Sequence, residues 1–131
     1  MIDLPTAVSA EVPATAGFVQ VLRNVAASVA SRLDMPIDQI EELRLAVAEG
    51  AALLLDETDA ARLRLSIGSR TDAIDVVISS DGTTATWPSE RALASWPWLV
   101  LRGLTDGARI DRNGDGALAI AFTKRSERVD R

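Results

Sequence analysis

The hydrophobic pattern of the sequence changes near Thr58 from a helical period to an alternating one, and this change limits the folds that the chain can adopt. Before Thr58, apolar residues recur at spacings of three and four, which predicts two amphipathic helices, Thr15 to Leu33 and Ile37 to about Asp56. Beyond Thr58 the pattern alternates, as it does in strands that bury one face. The chain is therefore expected to combine helices and strands.

The remaining elements follow from shorter patterns. An edge strand is expected at 4–11, two antiparallel strands at 62–67 and 74–79, a helix at 90–104 interrupted near Pro97, and a hairpin at 108–123. This order predicts an α+β, two-layer sandwich in which helices lie on one face of a mixed, mostly antiparallel sheet. One domain is expected over residues 1–131, with a frayed charged tail from about residue 125.

The chain contains no cysteine and no histidine. It can therefore form neither a disulfide nor a thiolate metal site, and it lacks the usual general base near neutral pH and the commonest zinc ligand. Most enzyme classes are disfavoured on this ground. Without cysteine, a reducing cytoplasm is the expected compartment.

The charge balance bears on possible partners. A net charge of −5 and a pI of about 4.7 argue against direct nucleic-acid binding, which needs clustered basic residues to neutralise phosphates. The uncharged stretch 92–101 is about half of the roughly 20 residues that span a bilayer, so no membrane association is expected. An acidic domain of this kind is expected to meet other proteins.

Two local patterns have an ordinary interpretation beside a functional one. Asp111, Asn113, Asp115 and Gly116 match the start of a calcium-binding loop, but its twelfth position, which should be a bidentate Glu, is Phe122. A plain hairpin turn is therefore favoured over a calcium site, and no metal site is predicted.

The other pattern is a cluster of all three tryptophans, Trp87, Trp96 and Trp98, within twelve residues. Such a cluster indicates either core packing or a protein-binding surface, and core packing is favoured. Glu49 has Leu45 and Leu53 one helical turn before and after it, which is unusual company for an exposed carboxylate, although a surface glutamate remains the simpler interpretation.

The run MPIDQIEELRLAVAE at 35–49 resembles the second-helix motif of the bacterial anti-sigma-factor serine kinases, which belong to the histidine-kinase-like ATPases. Arg23, in the run LRNV, lies where these proteins carry an arginine on the first helix. The stretch 100–106 is similar to the helix after their glycine-rich lid, and 116–124 to their last strand. The similarity extends over nearly the whole chain and implies the histidine-kinase-like ATPase fold.

The resemblance also implies roles for individual residues. Glu49 matches the family's base, but Leu53 stands where an asparagine holds magnesium, and a leucine offers no oxygen ligand. In the adenine-reading motif only Gly82 is kept, although a shift of one residue would let Asp81 serve. The glycine-rich phosphate loop is replaced by 95–98, which contains Trp96 and Trp98.

The resemblance therefore suggests an anti-sigma factor that sequesters an alternative sigma factor, is released by a STAS-type anti-anti-sigma protein, and uses no nucleotide cofactor. It implies Arg23 as a partner contact and a homodimer as the assembly. Trp96, Trp98 or both are expected to fill the vacated cleft. One alternative is an active serine protein kinase acting on a STAS partner with ATP and magnesium, with Glu49 as base and Asp81 reading adenine. Another is a scaffold outside sigma-factor control.

Overall fold

In the computed structural model, which describes residues 8–84 and 86–126, five strands form one sheet and four helices of the described residues cover one of its faces. The strands are β1 (Val8–Pro13), β2 (Arg62–Ser69), β3 (Ala73–Ser80), β4 (Asp106–Arg112) and β5 (Leu118–Arg125). The helices are α1 (Val19–Ser31), α2 (Ile37–Glu57), α3 (Glu90–Leu93) and α4 (Trp96–Leu104), and a short 3-10 turn (Ala16–Phe18) precedes α1.

The strand order is β1-β2-β3-β5-β4, and every pairing among the described residues is antiparallel. The predicted α+β class, with helices on one face of a mostly antiparallel sheet, is confirmed. The parallel pairing of a mixed sheet does not occur in the described part. Residues 4–7 of the predicted first strand and most of the predicted tail lie outside the described residues.

Helix α2 is the centre of the helical layer and packs against both α1 and α4. Its buried face includes Leu43, Val47 and Leu54 and lies on the sheet residues. Contacts at both ends indicate the direction of α4 relative to α2. Arg91 on α3, the helix that precedes α4, pairs with Glu57 at the end of α2. Lys124 Nζ on β5 binds both Glu42 near the start of α2 and the carbonyl oxygen of Leu104 at the end of α4. The two helices therefore run antiparallel.

The buried face of α1 differs from the predicted one. The apolar residues that recur at three- and four-residue spacing here, and that predict the buried stripe, are Phe18, Val21, Leu22, Val25, Val29 and Leu33. Leu22 is fully buried, together with Ala26 and Ala30, whereas Phe18 and Val21 are more than two-fifths exposed. Alanines lie where the helix comes closest to the layer beneath, because a small side chain permits a short distance between backbones. The remaining apolar residues of the stripe lie on the side of α1 that faces β1, the edge strand. Together with Val8 of β1, these residues line an open apolar groove of about 570 Å³: Val21, Val25, Val29 and Leu33.

The predicted third helix is two helices, and the interruption precedes the predicted one. Ser95 begins α4, with its Oγ accepting a hydrogen bond from the Trp98 N–H at 3.4 Å. Pro97 lies in the first turn of α4, where its missing N–H removes no intrahelical bond. The proline therefore belongs to the start of a helix, and the serine cap sets the break.

Candidate functional site

The position that the resemblance assigns to magnesium is part of the core. Leu53 is 2% exposed and Trp98 is 7% exposed, and both belong to the same buried cluster. Glu49, one turn before Leu53, is half-buried and makes no hydrogen bond or ion pair with another described residue. Apolar side chains therefore surround the place where a hard cation would need oxygen ligands. The residues present do not fit a magnesium ion.

The three tryptophans divide between core and surface. Trp87 is buried, and its Nε1 donates to the Asp111 carbonyl oxygen at 3.0 Å. Trp98 is buried on α4 together with Leu101. Trp96 is 73% exposed, because it lies two residues before Trp98 and its side chain therefore points about 200° around the helix from that of Trp98. Core packing is therefore confirmed for Trp87 and Trp98. The expected burial holds for Trp98, and Trp96 remains outside.

Asp81, the proposed substitute for the adenine-reading aspartate, supports the sheet. Its Oδ1 accepts hydrogen bonds from the backbone N–H groups of Ala61 at 2.8 Å and Arg62 at 3.0 Å. These bonds satisfy the first amides of β2 and join them to the end of β3. Asp81 Oδ1 is therefore already engaged by two backbone donors.

Gly82 follows Asp81 at a point of close approach to Thr58. A Cβ at this position would clash with Thr58 Oγ1 and would lie 2.9 Å from Cγ2 and 3.1 Å from Cβ of the same side chain. The Gly82 carbonyl also accepts a hydrogen bond from the Leu118 N–H at 3.2 Å, which holds the segment against β5. The glycine that the resemblance assigns to adenine binding is therefore required here by packing.

Gly82→Ala is expected to lower the free energy of unfolding by about 1–3 kcal/mol, the usual cost of overpacking. The added methyl group must displace Thr58, whose Cβ stays too close whatever its rotamer. Urea denaturation checks this. The same substitution in a Thr58→Ala background is the matched control, because two of the three crowding atoms are then gone. An equal cost in both backgrounds would show that Thr58 is not the cause.

Asp81 and Gly82 lie at an open polar pocket of about 530 Å³ between the end of α2 and the loop after β3. Four of its nine lining residues carry carboxylates, Asp56, Glu57, Asp59 and Asp81, and none is basic. A polyphosphate would meet like charge at this site. Glu49 is not among the lining residues and lies eight residues before Glu57, about 12 Å along the helix axis. Glu49, the predicted catalytic residue, therefore does not line this pocket with Asp81 and Gly82, the predicted adenine-binding residues.

Glu57 links the end of α2 to α3. Its side chain is only 5% exposed; Ser89 Oγ donates to Oε1, and Arg91 Nη2 binds Oε2 at 2.7 Å. Burial opposes ionisation of this carboxyl, but the hydrogen bonds from Ser89 and Arg91 outweigh it, so the pKa of Glu57 lies below its ordinary value. The ionised form is therefore the one that stabilises the fold.

The sign of this shift gives a pH-dependent prediction. A carboxyl whose folded-state pKa is lowered contributes stability that is full above its unfolded pKa and is lost as the pH falls through the folded value. Glu57→Gln is therefore expected to lower the free energy of unfolding most at pH 7 and progressively less in acid. Urea denaturation of both proteins between pH 7 and pH 3 checks this, with Glu90→Gln, an exposed carboxylate of α3, as control. A deficit that is constant over this range would contradict the assignment.

Arg23 lies on the side of α1 that faces α2 and takes part in a polar network with Gln20, Asn24 and Arg44, called here the arginine network. Arg23 Nη1 donates to Gln20 Oε1 at 3.3 Å, and Gln20 Nε2 donates to Asn24 Oδ1 at 3.0 Å. Arg44 Nη1 on α2 donates to the same Asn24 oxygen at 3.1 Å. Arg23 is half-buried; its direct partner is Gln20 on the same helix, and Asn24 connects that pair to Arg44 on α2.

The arginine network has more donors than acceptors. The Nε atoms of Arg23 and Arg44 are buried and have no hydrogen-bond partner within the described part of the chain. The carboxylate of Glu41 is 3.7 Å from Arg44 Nε, within ion-pair distance but too far for a hydrogen bond. Buried donors without acceptors cost free energy unless a further group accepts from them. Within the described residues the only carboxylate paired with either guanidinium is that of Glu41, so the two positive charges are largely uncompensated and suited to a partner's carboxylate.

Sequence reasoning identified Arg23 and missed Arg44. Arg44 lies within the run 35–49 that carries the family resemblance, and the resemblance assigns it no role. A charged residue between the core positions Leu43 and Val47 was the available signal.

The possible calcium loop is the turn between β4 and β5. Asp111 Oδ1 accepts from the Arg112 N–H at 2.8 Å, and Asp115 Oδ1 accepts from the Ala117 N–H at 3.0 Å. Both carboxylates stabilise the local backbone, and the favoured hairpin is confirmed. Within residues 8–84 and 86–126 no group of three or more acidic side chains is placed to hold a metal ion.

Comparison with known protein families and with curated proteins found no family model and no curated protein that matches the chain. The resemblance to the anti-sigma-factor kinases therefore rests on the sequence motifs alone. Among the described helices, none combines the length and the apolar character needed to cross a membrane.

Proposed function

We propose that this protein is an anti-sigma factor that sequesters an alternative sigma factor through direct protein contact and without nucleotide. The observation that carries the proposal is the arginine network, in which the guanidinium groups of Arg23 and Arg44 lie together at the α1–α2 junction with only Gln20 and Asn24, among the described residues, accepting from them, where the family resemblance expects a partner contact. Arginine forks pair well with carboxylates at interfaces. The proposed sigma factor therefore contributes acidic side chains at this point.

Three features of the described residues support the part of the proposal that sequestration uses no nucleotide. First, Leu53 and Trp98 are packed in the core at the position that the resemblance assigns to the metal. Second, four carboxylates line the pocket at Asp81 and Gly82. Third, Asp81 and Gly82 themselves have structural roles. A serine kinase would need a cation to neutralise the phosphates and a base near the transferred group. Glu49 is not among the residues that line that pocket, which favours the proposal over the kinase alternative.

Release by a STAS-type antagonist and a homodimeric assembly are parts of the same proposal. The open apolar groove between α1 and β1 lies at an edge of the sheet, and we expect a second copy of the chain to cover it. Burial of such a surface in a dimer would remove the exposed apolar area of Val8 and Val21 from water. Analytical ultracentrifugation measures the assembly directly.

The proposal is tested by isothermal titration calorimetry of the purified protein with each sigma factor encoded in the same genome. We expect saturable binding to one of them, with the same affinity in the presence and absence of 1 mM ATP and magnesium, and displacement by a STAS protein. No binding to any sigma factor would overturn the proposal. Binding that requires ATP, or transfer of phosphate to the STAS protein, would restore the kinase alternative.

A further inference from the structure

Helices α3 and α4 present an apolar surface that the fold does not use. Leu93 is 47% exposed, Trp96 is 73% exposed and Leu99 is 53% exposed, and these three side chains are called here the tryptophan ridge. Trp96 and Leu99 are three residues apart and therefore lie on the same side of α4. The opposite side of α4 carries Trp98 and Leu101, which are buried.

The tryptophan ridge is rigidly presented. Ser89 caps α3 and Ser95 caps α4, Pro97 restricts the first turn of α4, and Trp98 anchors that helix in the core. A tryptophan held in this way loses little conformational freedom when a partner covers it, and tryptophan is enriched among the residues that dominate binding energy. An exposed apolar group on a fixed helix is a feature of interaction surfaces.

Arginines lie near both ends of the tryptophan ridge. Arg91 precedes Leu93 and Arg102 follows Leu99 by three residues, and both are exposed. Arg102 forms no hydrogen bond or ion pair with another described residue, whereas Arg91 binds Glu57. Although the chain has a net charge of −5, the only charged residue of α4 is the basic Arg102. Since Arg91 is already paired, the Arg102 end of the ridge is the one complementary to a carboxylate at the margin of an apolar partner surface.

The tryptophan ridge and the arginine network belong to the same helical layer. Helices α1 and α4 pack on either side of α2, and packed helices are separated by about 8–10 Å, so the two surfaces lie about 20 Å apart. A standard protein interface covers about 800 Å² on each partner, which is wide enough to include both. Leu45 belongs to α2, the helix between α1 and α4, and is itself 42% exposed.

We infer that the tryptophan ridge is a second contact surface for the sequestered protein. The sequestered protein would cover the ridge with an apolar groove that has an acidic margin, while other carboxylates of the same partner engage the arginine network. This inference rests on the proposed function, since the occupant is the same sigma factor. It assigns the apolar anchor of the interface to Trp96 and the charged margin to Arg102.

The test is calorimetric titration of the sigma factor that the wild type binds. Trp96→Ser and Arg102→Glu are each expected to reduce affinity at least 10-fold. Ile37→Ser changes an equally exposed apolar residue at the far end of α2, and Arg109→Glu changes an arginine on the uncovered face of the sheet. Both control variants are expected to bind within 2-fold of wild type. Thermal unfolding confirms that all four variants are folded.

The outcomes separate the inference from the function on which it rests. Reduced affinity for Trp96→Ser and Arg102→Glu, with unchanged controls, supports the second contact surface. Wild-type binding that Trp96→Ser leaves within 2-fold overturns the inference and leaves the anti-sigma function standing. Failure of the wild type to bind any sigma factor overturns both.

Discussion

Replacing Trp98 with alanine is expected to lower the free energy of unfolding by about 3–5 kcal/mol, the usual cost of removing a large aromatic side chain from a core. Trp98 is buried in the same cluster as Leu53 and is the largest side chain by which α4 packs into the core. Its loss would leave a cavity between α4 and α2. Because small domains are stable by only about 5–15 kcal/mol, this single change removes a large part of the total.

Trp96→Ala provides the matched control for this prediction. Trp96 has the same side chain on the same helix but is 73% exposed, so its replacement is expected to change the free energy of unfolding by less than about 0.5 kcal/mol. Urea denaturation followed by circular dichroism measures both variants without relying on tryptophan fluorescence. Similar losses for the two variants would contradict the assignment of Trp98 to the core and of Trp96 to the surface.

Arg23→Ala is expected to weaken sigma-factor binding by about 30-fold or more, corresponding to about 2 kcal/mol for an arginine at the centre of an interface. The loss of stability should stay below about 1 kcal/mol, because the substitution also removes a buried donor that has no partner. Calorimetry gives the affinity, and urea denaturation gives the stability.

Arg23→Lys and Arg64→Ala sharpen the interpretation of that result. Lysine keeps the charge but loses the planar fork, so an intermediate affinity is expected if bidentate pairing matters. Arg64 is an exposed arginine of β2 that pairs with Glu11, and its replacement should leave binding unchanged. Equal affinities for wild type and Arg23→Ala would remove Arg23 from the interface.

Elements with a single, strong hydrophobic period could be predicted from the sequence. Helix α2 begins at Ile37 and ends at Glu57, close to the predicted limits, and β2 and β3 contain the predicted alternating residues. In these segments the apolar side chains themselves determine which face is buried. The hairpin of β4 and β5 was predictable for a different reason, since its turn is rich in glycine, asparagine and aspartate.

Features that depend on how elements pack together could not be predicted. Ala26 and Ala30 are buried in place of Phe18 and Val21 because the closest approach of α1 favours small side chains, and hydrophobicity alone ranks the larger residues higher. The same limit applies to the arginine network, whose two arginines come from different helices. The separation of Glu49 from Asp81 likewise depends on where α2 lies over the sheet.

The direct packing of α4 on α2 has a consequence for how a bound partner could leave. In a protein with an open nucleotide cleft, a small molecule can move a lid and thereby change the affinity for a second protein. Here Leu53 and Trp98 are packed together in the core at that position. A small molecule therefore has no room there to bind and drive such a movement. Under the proposed function, sequestration would then behave as a titration: the free sigma-factor concentration would stay low until the amount of antagonist exceeds the amount of this protein.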